Sequence, residues 1–360
     1  MATATTDRVV FEATTLKATL ADVLKAVPAR APRPILQNVR LGNGLLTGTD
    51  LELRIDREID YHGEPLLLPA ARLAAILREV HGDVTIEAHG TSCKIKAGRG
   101  SWTLPTEDAA EFPLGETGEL KPVCRLPADQ FRRAVRATEY ATDTASSRYA
   151  LGAILVDVKD SDPTLVATDG RRLAIVQAET DQDVGTVTCL LPARAAMAAI
   201  AAPGDSVQIE TDGKFVVLSS AGMTVTGLLI TGAFPRWRDA VPKRTSAKAS
   251  TVAREALLHG VRQAAIVTSE QSKGVEFTFG KSLKLAAQSS EAGQASVTVE
   301  LEDAGDAGTV KLDPAFVVDF LRTLDSESAP TVTVEIGKPG DAVVLRCDDV
   351  TGIIMPLAQD

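Results

Sequence analysis

The sequence predicts an α+β protein of three repeated domains, each with two helices packed on one face of antiparallel sheets. Three observations carry this. A strand-like run reaches a proline and turns into a helix at Leu68-Pro69-Ala70, Leu191-Pro192-Ala193 and Leu312-Asp313-Pro314-Ala315, at intervals of about 120 residues. A Thr-Asp landmark repeats at the same interval, in Leu46-Thr47-Gly48-Thr49-Asp50 and Val166-Ala167-Thr168-Asp169-Gly170, with a faded copy at Leu285-Ala286-Ala287-Gln288-Ser289. Neighbouring helical stretches are separated by several strand-like ones, which disfavours a doubly wound βαβ arrangement. The interval far exceeds the roughly 20–50 residues of solenoid repeats, so each unit should enclose its own core. Junctions are expected near residues 117–121 and 242–245, dividing the chain into 1–119, 120–243 and 244–360.

In chain order, residues 9–12 read as the opening strand and 15–27 as a helix with Leu16, Leu20, Val23, Leu24 and Val27 on one face. Leu51-Glu52-Leu53-Arg54-Ile55 alternates as a strand. Pro69 suits the first turn of a helix, where its missing N–H has no partner to lose. Behind it, over 70–80, Leu73, Ile76, Leu77 and Val80 fall at i, i+3, i+4 and i+7. Residues 84–87 form the next strand. Helices at 128–138 and 193–202 serve the middle third, the second with a weaker stripe of Ala196, Ala199 and Ile200. In the last third, helices are expected at 251–266 and at 313–324, the latter striped by Val317, Phe320, Leu321 and Leu324. Residues 297–301 and 331–336 alternate like half-buried strands. A strand–helix–strands half-unit therefore repeats inside each third.

Hydrophobic residues make up 44% of the chain and aromatics only 4%, so the cores should be aliphatic. The first residues are polar and Thr-rich, unlike a secretory leader, and no run approaches the roughly 18 apolar residues of a membrane span. A cytoplasmic protein is expected, with no membrane partner. Cys93, Cys124, Cys189 and Cys347 are scattered without a C-x-x-C pair and read as isolated reduced thiols. His62, His81, His89 and His259 are equally dispersed, so neither metal nor cofactor is expected. The motifs G-x-x-x-x-G-K-[ST], G-x-S-x-G and H-E-x-x-H are absent, so no enzyme is expected. A net charge of −10 speaks against nucleic-acid binding at first sight. Yet the predicted helices carry more Lys and Arg than Asp and Glu. Basic helices on an acidic body give a local positive surface while the remainder repels polyanions.

Phrases spread over the whole chain resemble the bacterial sliding clamp family, the beta subunit of DNA polymerase III. They are Arg33-Pro34-Ile35-Leu36-Gln37-Asn38, Leu46-Thr47-Gly48-Thr49-Asp50-Leu51-Glu52, Glu111-Phe112-Pro113 and Arg148-Tyr149-Ala150-Leu151-Gly152. Further on come Ala167-Thr168-Asp169-Gly170-Arg171-Arg172-Leu173-Ala174, Phe234-Pro235-Arg236-Trp237 and Ile353-Ile354-Met355-Pro356-Leu357. The resemblance implies clamp-type, ring-forming domains. Two copies would close head to tail into a six-domain ring, with helices lining the hole and strands on the outer rim. Its implied work is that of a non-catalytic processivity factor, near the nucleoid, that encircles double-stranded DNA and slides without sequence readout. The implied partners are a second copy as homodimer, the replicative DNA polymerase with its 3′–5′ exonuclease complex, a clamp-loader ATPase, and repair proteins carrying short peptide motifs.

A ring that slides wants phosphate attraction without base contacts. By resemblance, Lys17, Lys25, Arg30, Arg72, Arg132, Arg133, Arg136, Tyr149, Arg194, Arg254 and Arg262 would face DNA. Lys17 and Lys25 lie off the leucine stripe of their helix, and Arg132, Arg133 and Arg136 off the face of Phe131, Val135 and Thr138. Trp102 and Leu104, in an interface strand pairing edge to edge with its partner, would meet Ile266 and Val267 of the other copy. Partner peptides would enter between the second and third domains. That pocket is implied to hold Leu151, then Thr168, Gly170, Arg171, Arg172 and Leu173, then Pro235 and Ala240, then Ile353, Met355 and Pro356. Leu173, Ile353 and Met355 would form its apolar floor, with Met adapting to varied partners. Three positions depart from the family pattern. Arg171 stands where His is common, Ala240 where Val is usual, and Ala358-Gln359-Asp360 where an Arg commonly sits. Alternative readings are a divergent or duplicated clamp with altered partner or inhibitor sensitivity, and an interaction scaffold that forms no ring.

Overall fold

The computed structural model describes residues 8–143, 150–243, 248–269, 274–324 and 329–358. Among them lie 24 strands and the helices α1 (Ala13–Val23), α2 (Ala70–Glu79), α3 (Ala128–Glu139), α4 (Ala193–Ala199), α5 (Trp237–Ala240), α6 (Arg254–Ala264) and α7 (Pro314–Thr323). Leaving out the short α5, the order is one strand, one helix and three strands, six times over. Every strand pairing is antiparallel within this plan, and the two half-units of each third exchange their opening strands. Thus Leu66–Pro69 pairs with Asn38–Gly42, while Arg8–Glu12 pairs with Asp83–His89.

The described chain forms two compact bodies, residues 1–129 with 194–229, and residues 130–193 with 230–360. Each body holds one eight-stranded and one four-stranded sheet. In the first body the long sheet is completed by Leu53–Glu58 against Met223–Leu228. In the second it is completed by Arg172–Gln177 against Val350–Ile354. The four-stranded sheets leave Gly100–Pro105 and Gly293–Glu300 as edge strands.

Side-chain caps explain the starts of α1 and α7. Glu12 caps α1 by accepting from the Thr15 N–H at 2.7 Å, and Asp313 caps α7 by accepting from the Ala315 N–H at 3.0 Å. Pro314 then occupies the first turn of α7, as expected. Pro69 and Pro192 differ: each ends a strand, and α2 and α4 begin one residue later. The expected stripes are buried, with Leu16, Leu20, Leu73, Leu77, Phe320 and Leu321 all at 2% exposure or less. Each such side chain contributes about 1.5–3 kcal/mol of burial free energy. Leu24, Val27 and Val80, at helix ends, are only half-buried. α1 packs beside α2 in the first body and α6 beside α7 in the second.

Two element expectations are corrected. The helix expected from residue 251 begins at Arg254, because Ser250–Ala253 is a strand paired with residues 331–334. The strand expected from Leu51 begins at Leu53, because Leu51 sits in a turn at φ +82. The four cysteines are buried and form no disulfide among the described residues. Burial pushes the Cys93 thiol up to about 11 and that of Cys189 to about 12, which keeps both protonated and unreactive. No helix among the described residues is long and apolar enough to cross a membrane.

Candidate functional site

The site is built on a turn in the second body. Thr168 ends one strand, and its hydroxyl donates to the Arg172 carbonyl at 2.6 Å while accepting from the Gly170 N–H at 3.0 Å. Asp169 Oδ1 accepts from the N–H groups of Arg171 and Arg172 at 2.8 and 2.9 Å. Gly170 supplies the left-handed residue, at φ +87. The Thr-Asp landmark therefore marks a turn. The same bonds recur at Thr49-Asp50 and, unforeseen, at Thr211-Asp212, where Gly213 again takes the left-handed position at φ +86. The faded copy keeps a looser version, in which Ser289 Oγ accepts from Glu291 and Ala292 at 3.3 and 3.4 Å.

From this turn the chain enters the strand Arg172–Gln177, where Leu173 lies opposite Thr168 on one side and Ile353 on the other. Ile353 in turn lies opposite Val344. One row over, Leu155, Val166 and Ile175 are paired in the same way. Cross-strand partners point to the same side of a sheet. On the other side, α7 presses close: a Cβ on Gly352 would lie 2.6 Å from the Phe320 ring. Leu173, Ile353, Val344, Leu155, Val166 and Ile175 thus share the face away from α7 and form one apolar cluster.

Phe234, Trp237 and Val241 pack against that cluster from a loop around α5. Asp157 pins this loop, accepting from Trp237 Nε1 at 3.0 Å and from Arg238 Nη1 at 2.5 Å. The Arg238 guanidinium also stacks on the Trp237 ring, 4.3 Å from its centroid. The floor residues Leu173 and Ile353 are 4% and 3% exposed, while Met355 stands 46% exposed where its N–H donates to the Arg171 carbonyl at 2.8 Å. Together these residues form an apolar patch on one sheet face, here called the basin, which the α5 loop packs against and beside which the flexible, polarizable Met355 stands exposed.

Of the pocket residues expected from sequence, Thr168, Leu173 and Ile353 are adjacent on one face. Gly170 and Arg171 form the turn, Pro235 and Ala240 belong to the overlying loop, and Met355 and Pro356 continue from the strand. Leu151 is buried, its carbonyl accepting from the Asp143 N–H at 2.8 Å, and is not part of the cluster. Pro356 lines a separate small cleft with Lys311 and Lys338. Arg172 is a correction. Neighbours on a strand face opposite sides, so its guanidinium turns toward α7, bonding Asp169 at 2.9 Å and Asp319 at 2.7 Å and stacking on Phe316 and Tyr140. Burial pushes the Tyr140 phenol up, partly offset by Arg172 and reinforced by Asp319 and Asp169. Arg171 stays exposed, with its guanidinium 4.9 Å from the Phe316 ring centroid. Sequence reasoning missed Leu155, Val166, Ile175, Val344 and Asp157; strand alternation was the available signal for the first four.

The basic residues divide. Lys17, Lys25, Arg30, Arg72, Arg133, Arg136, Arg194 and Arg262 are exposed and Arg132 half-buried. Lys25 pairs with Asp22 at 3.2 Å, Arg133 with Asp349 and Arg194 with Asp50. Arg254 is a correction: it is 6% exposed and donates to the Leu321 carbonyl at 2.8 Å, so its charge serves the joint between α6 and α7 and is not open to a phosphate. Tyr149 lies outside the described residues. On the edge strand Gly100–Pro105, Trp102 is half-buried, whereas Leu104, at 9% exposure, is largely taken up by its own domain. Ile266 is 77% exposed in the tight helical turn Ala265–Val267, beside the other edge strand, and Val267 is half-buried.

Comparison with known proteins gives the same family over successive stretches. Residues 9–116 match the DNA polymerase III beta subunit, N-terminal domain; 125–236 match its central domain and 238–357 its C-terminal domain. The beta sliding clamp of Pseudomonas putida is 26% identical over 350 residues, covering 93% of this chain and 95% of that protein. That of Caulobacter vibrioides is 27% identical over 368 residues, covering 94% and 98%. Among solved structures, the DNA polymerase sliding clamp from Bacillus subtilis superposes with a TM-score of 0.89 at 20% identity, covering 98% of this chain and 99% of that one. A sliding clamp from Pseudomonas aeruginosa bound to griselimycin gives 0.89 at 23% identity, with 98% and 99% covered.

Proposed function

The chain belongs to the DNA polymerase III beta subunit family, the bacterial sliding clamps of DNA replication, and from that premise we propose that it is a non-catalytic processivity factor. In this reading two copies close into a ring around duplex DNA and tether the replicative polymerase, a clamp-loader ATPase and repair proteins through short peptides, in the cytoplasm beside the nucleoid. The domains would be 1–119, 120–243 and 244–360.

The observation that carries the tether is the apolar basin over Leu173 and Ile353. An apolar strand face on an otherwise acidic protein, with Met355 exposed beside it, suits apolar anchors of an extended peptide. Of the guanidinium groups nearby, that of Arg238 is paired with Asp157 and that of Arg236 with Asp239, while that of Arg171 lies over the Phe316 ring. Ring closure is supported by the sheets: two edges, Gly100–Pro105 and Gly293–Glu300, belong to four-stranded sheets, and joining them across two copies would make another eight-stranded one. For the duplex, Lys17, Arg72, Arg136 and Arg262 are exposed helix cations that form no ion pair among the described residues. They offer phosphate attraction without the base contacts that would stop sliding.

The test is fluorescence anisotropy with a labelled peptide bearing a polymerase-type clamp-binding motif, titrated with this protein and with Leu173→Asp. A carboxylate buried at the basin floor should reduce affinity at least tenfold, about 1.4 kcal/mol. Equal binding by both proteins would refute the basin as the tether. No binding by either would favour a divergent clamp whose rim, altered at Arg171 and Ala240, reads a different peptide.

A further inference from the structure

We propose that the first body carries a second docking surface, at the turn of residues 49–53, that accepts an apolar peptide segment flanked by Lys or Arg. Its position is the counterpart of the basin. Leu228 N–H donates to the Glu52 carbonyl at 2.8 Å, as Met355 N–H does to the Arg171 carbonyl. Thr49 lies opposite Arg54, as Thr168 lies opposite Leu173. The side chains at these positions have changed character. Arg54 replaces the floor leucine and is bonded to Asp56 at 2.8 Å, to the Gly115 carbonyl at 3.1 Å and to the Leu114 carbonyl. That fills the place of the basin and leaves apolar side chains standing around it.

Six large hydrophobic side chains are strongly exposed among the described residues: Val10, Leu51, Leu114, Leu228, Ile266 and Met355. Ile266 and Met355 belong to the surfaces already discussed. Three of the other four lie on segments tied to this turn, Leu51 (50% exposed) in the turn itself, Leu228 (39%) through its N–H bond to Glu52 and Leu114 (37%) through its carbonyl bond from Arg54. Leu51 occupies the turn position that Gly170 and Gly213 fill elsewhere, at φ +82 against their +87 and +86. A leucine in left-handed backbone is unfavourable, and here it places an isobutyl group in water, so local folding accounts for neither choice.

The charge around this patch selects the occupant. Residues 107–119 hold five exposed carboxylates and no Lys or Arg, and Glu52 adds another beside Leu51, against one exposed cation, Lys214, over the Phe215 ring opposite Leu228. Asp50 is already paired with Arg194, and Arg54 with Asp56. A field of this sign repels duplex DNA and acidic peptides and attracts a basic one.

The experiment is an anisotropy titration of two labelled peptides, each with a pair of leucines, one flanked by lysines and one by glutamates. Each is titrated with the full chain, Leu51→Gly and Leu173→Asp. Glycine suits φ +82, so Leu51→Gly should fold at least as well, checked by thermal melting, and it leaves the charge unchanged. The expected result is saturable binding of the Lys-flanked peptide, weakened about tenfold or more by Leu51→Gly and unaffected by Leu173→Asp. Undiminished binding to Leu51→Gly would reduce the effect to general attraction by an acidic protein and overturn the proposal. So would loss in Leu173→Asp, equal affinity for the Glu-flanked peptide, or no saturable binding. Failure of the basin reading would show separately, in a clamp-motif peptide indifferent to Leu173→Asp.

Discussion

Glu12 closes the opening strand and caps α1, accepting from the Thr15 N–H and hydroxyl at 2.7 and 2.8 Å. Hydrogen bonds from Thr14 and Thr15 hold its carboxyl down to about 2, from an ordinary 4.5. A carboxylate depressed in the folded state adds stability that is complete above about pH 4.5 and is lost as pH falls toward about 2. Glu12→Gln should therefore lower the melting temperature at pH 7 and flatten the stability loss between pH 4.5 and 2. Melts of both proteins at pH 7, 4 and 2.5 check this, and parallel curves would contradict it. At this scale the Thr-Asp pairs were legible as repeats and as turns, but the bonds that close them were not. Thr168, Asp169 and Gly170 close a turn, and only the bonds drawn across it distinguish that from a functional pair. Arg172 was misjudged for a related reason, since its partners Asp319 and Phe316 lie far along the chain.

Between elements, the closest approach that shapes the basin is that of α7 to its strand. Gly352 pairs with Ala174 and Leu345, and a Cβ there would lie 2.6 Å from the Phe320 ring. Gly352→Val should push α7 outward at a cost of about 1–3 kcal/mol, the usual range for overpacking. Because Ile353 is the next residue and faces the basin, the same change should weaken clamp-motif peptide binding. Denaturant unfolding and anisotropy read the two effects, and stability loss without affinity loss would show the floor to be insulated from the helix. Apolar stripes made α1, α2 and α7 readable, because a helix buries every third or fourth residue whatever it packs against. The start of α6 was not readable. Residues 250–253 form a strand only because residues 331–334 lie alongside.

For the whole molecule, the proposed ring would join two of the sheet edges that one copy leaves unpaired, Gly100–Pro105 and Gly293–Glu300. Trp102 sits half-buried on one edge, and Ile266 stands 77% exposed beside the other. Trp102→Asp would set a carboxylate where an apolar contact is proposed, so sedimentation equilibrium should show a dimer for the parent chain and a monomer for the variant. A variant that stays dimeric would move the junction elsewhere, and a parent chain monomeric at micromolar concentration would favour the scaffold that forms no ring. Leu104 is a poor target, being largely committed to its own core.

Sequence alone determined the repeated α+β plan, because helix stripes, strand alternation and Thr-Asp turns are local patterns that each half-unit restates. It also carried the family resemblance, since those phrases are spread over the whole chain. Tertiary structure decided which side chains face together. Leu173 points into the basin and Arg172 away from it because one residue on a strand reverses the face. Arg254, basic and on a helix like Arg262, is internal because the Leu321 carbonyl of a distant helix takes its hydrogen bond. Leu155 is covered because Phe234, Trp237 and Val241, remote in sequence, pack against its cluster, whereas Leu51 stands exposed in a turn outside the sheet. Periodicity reports that a residue is on a face; long-range packing alone reports what that face meets.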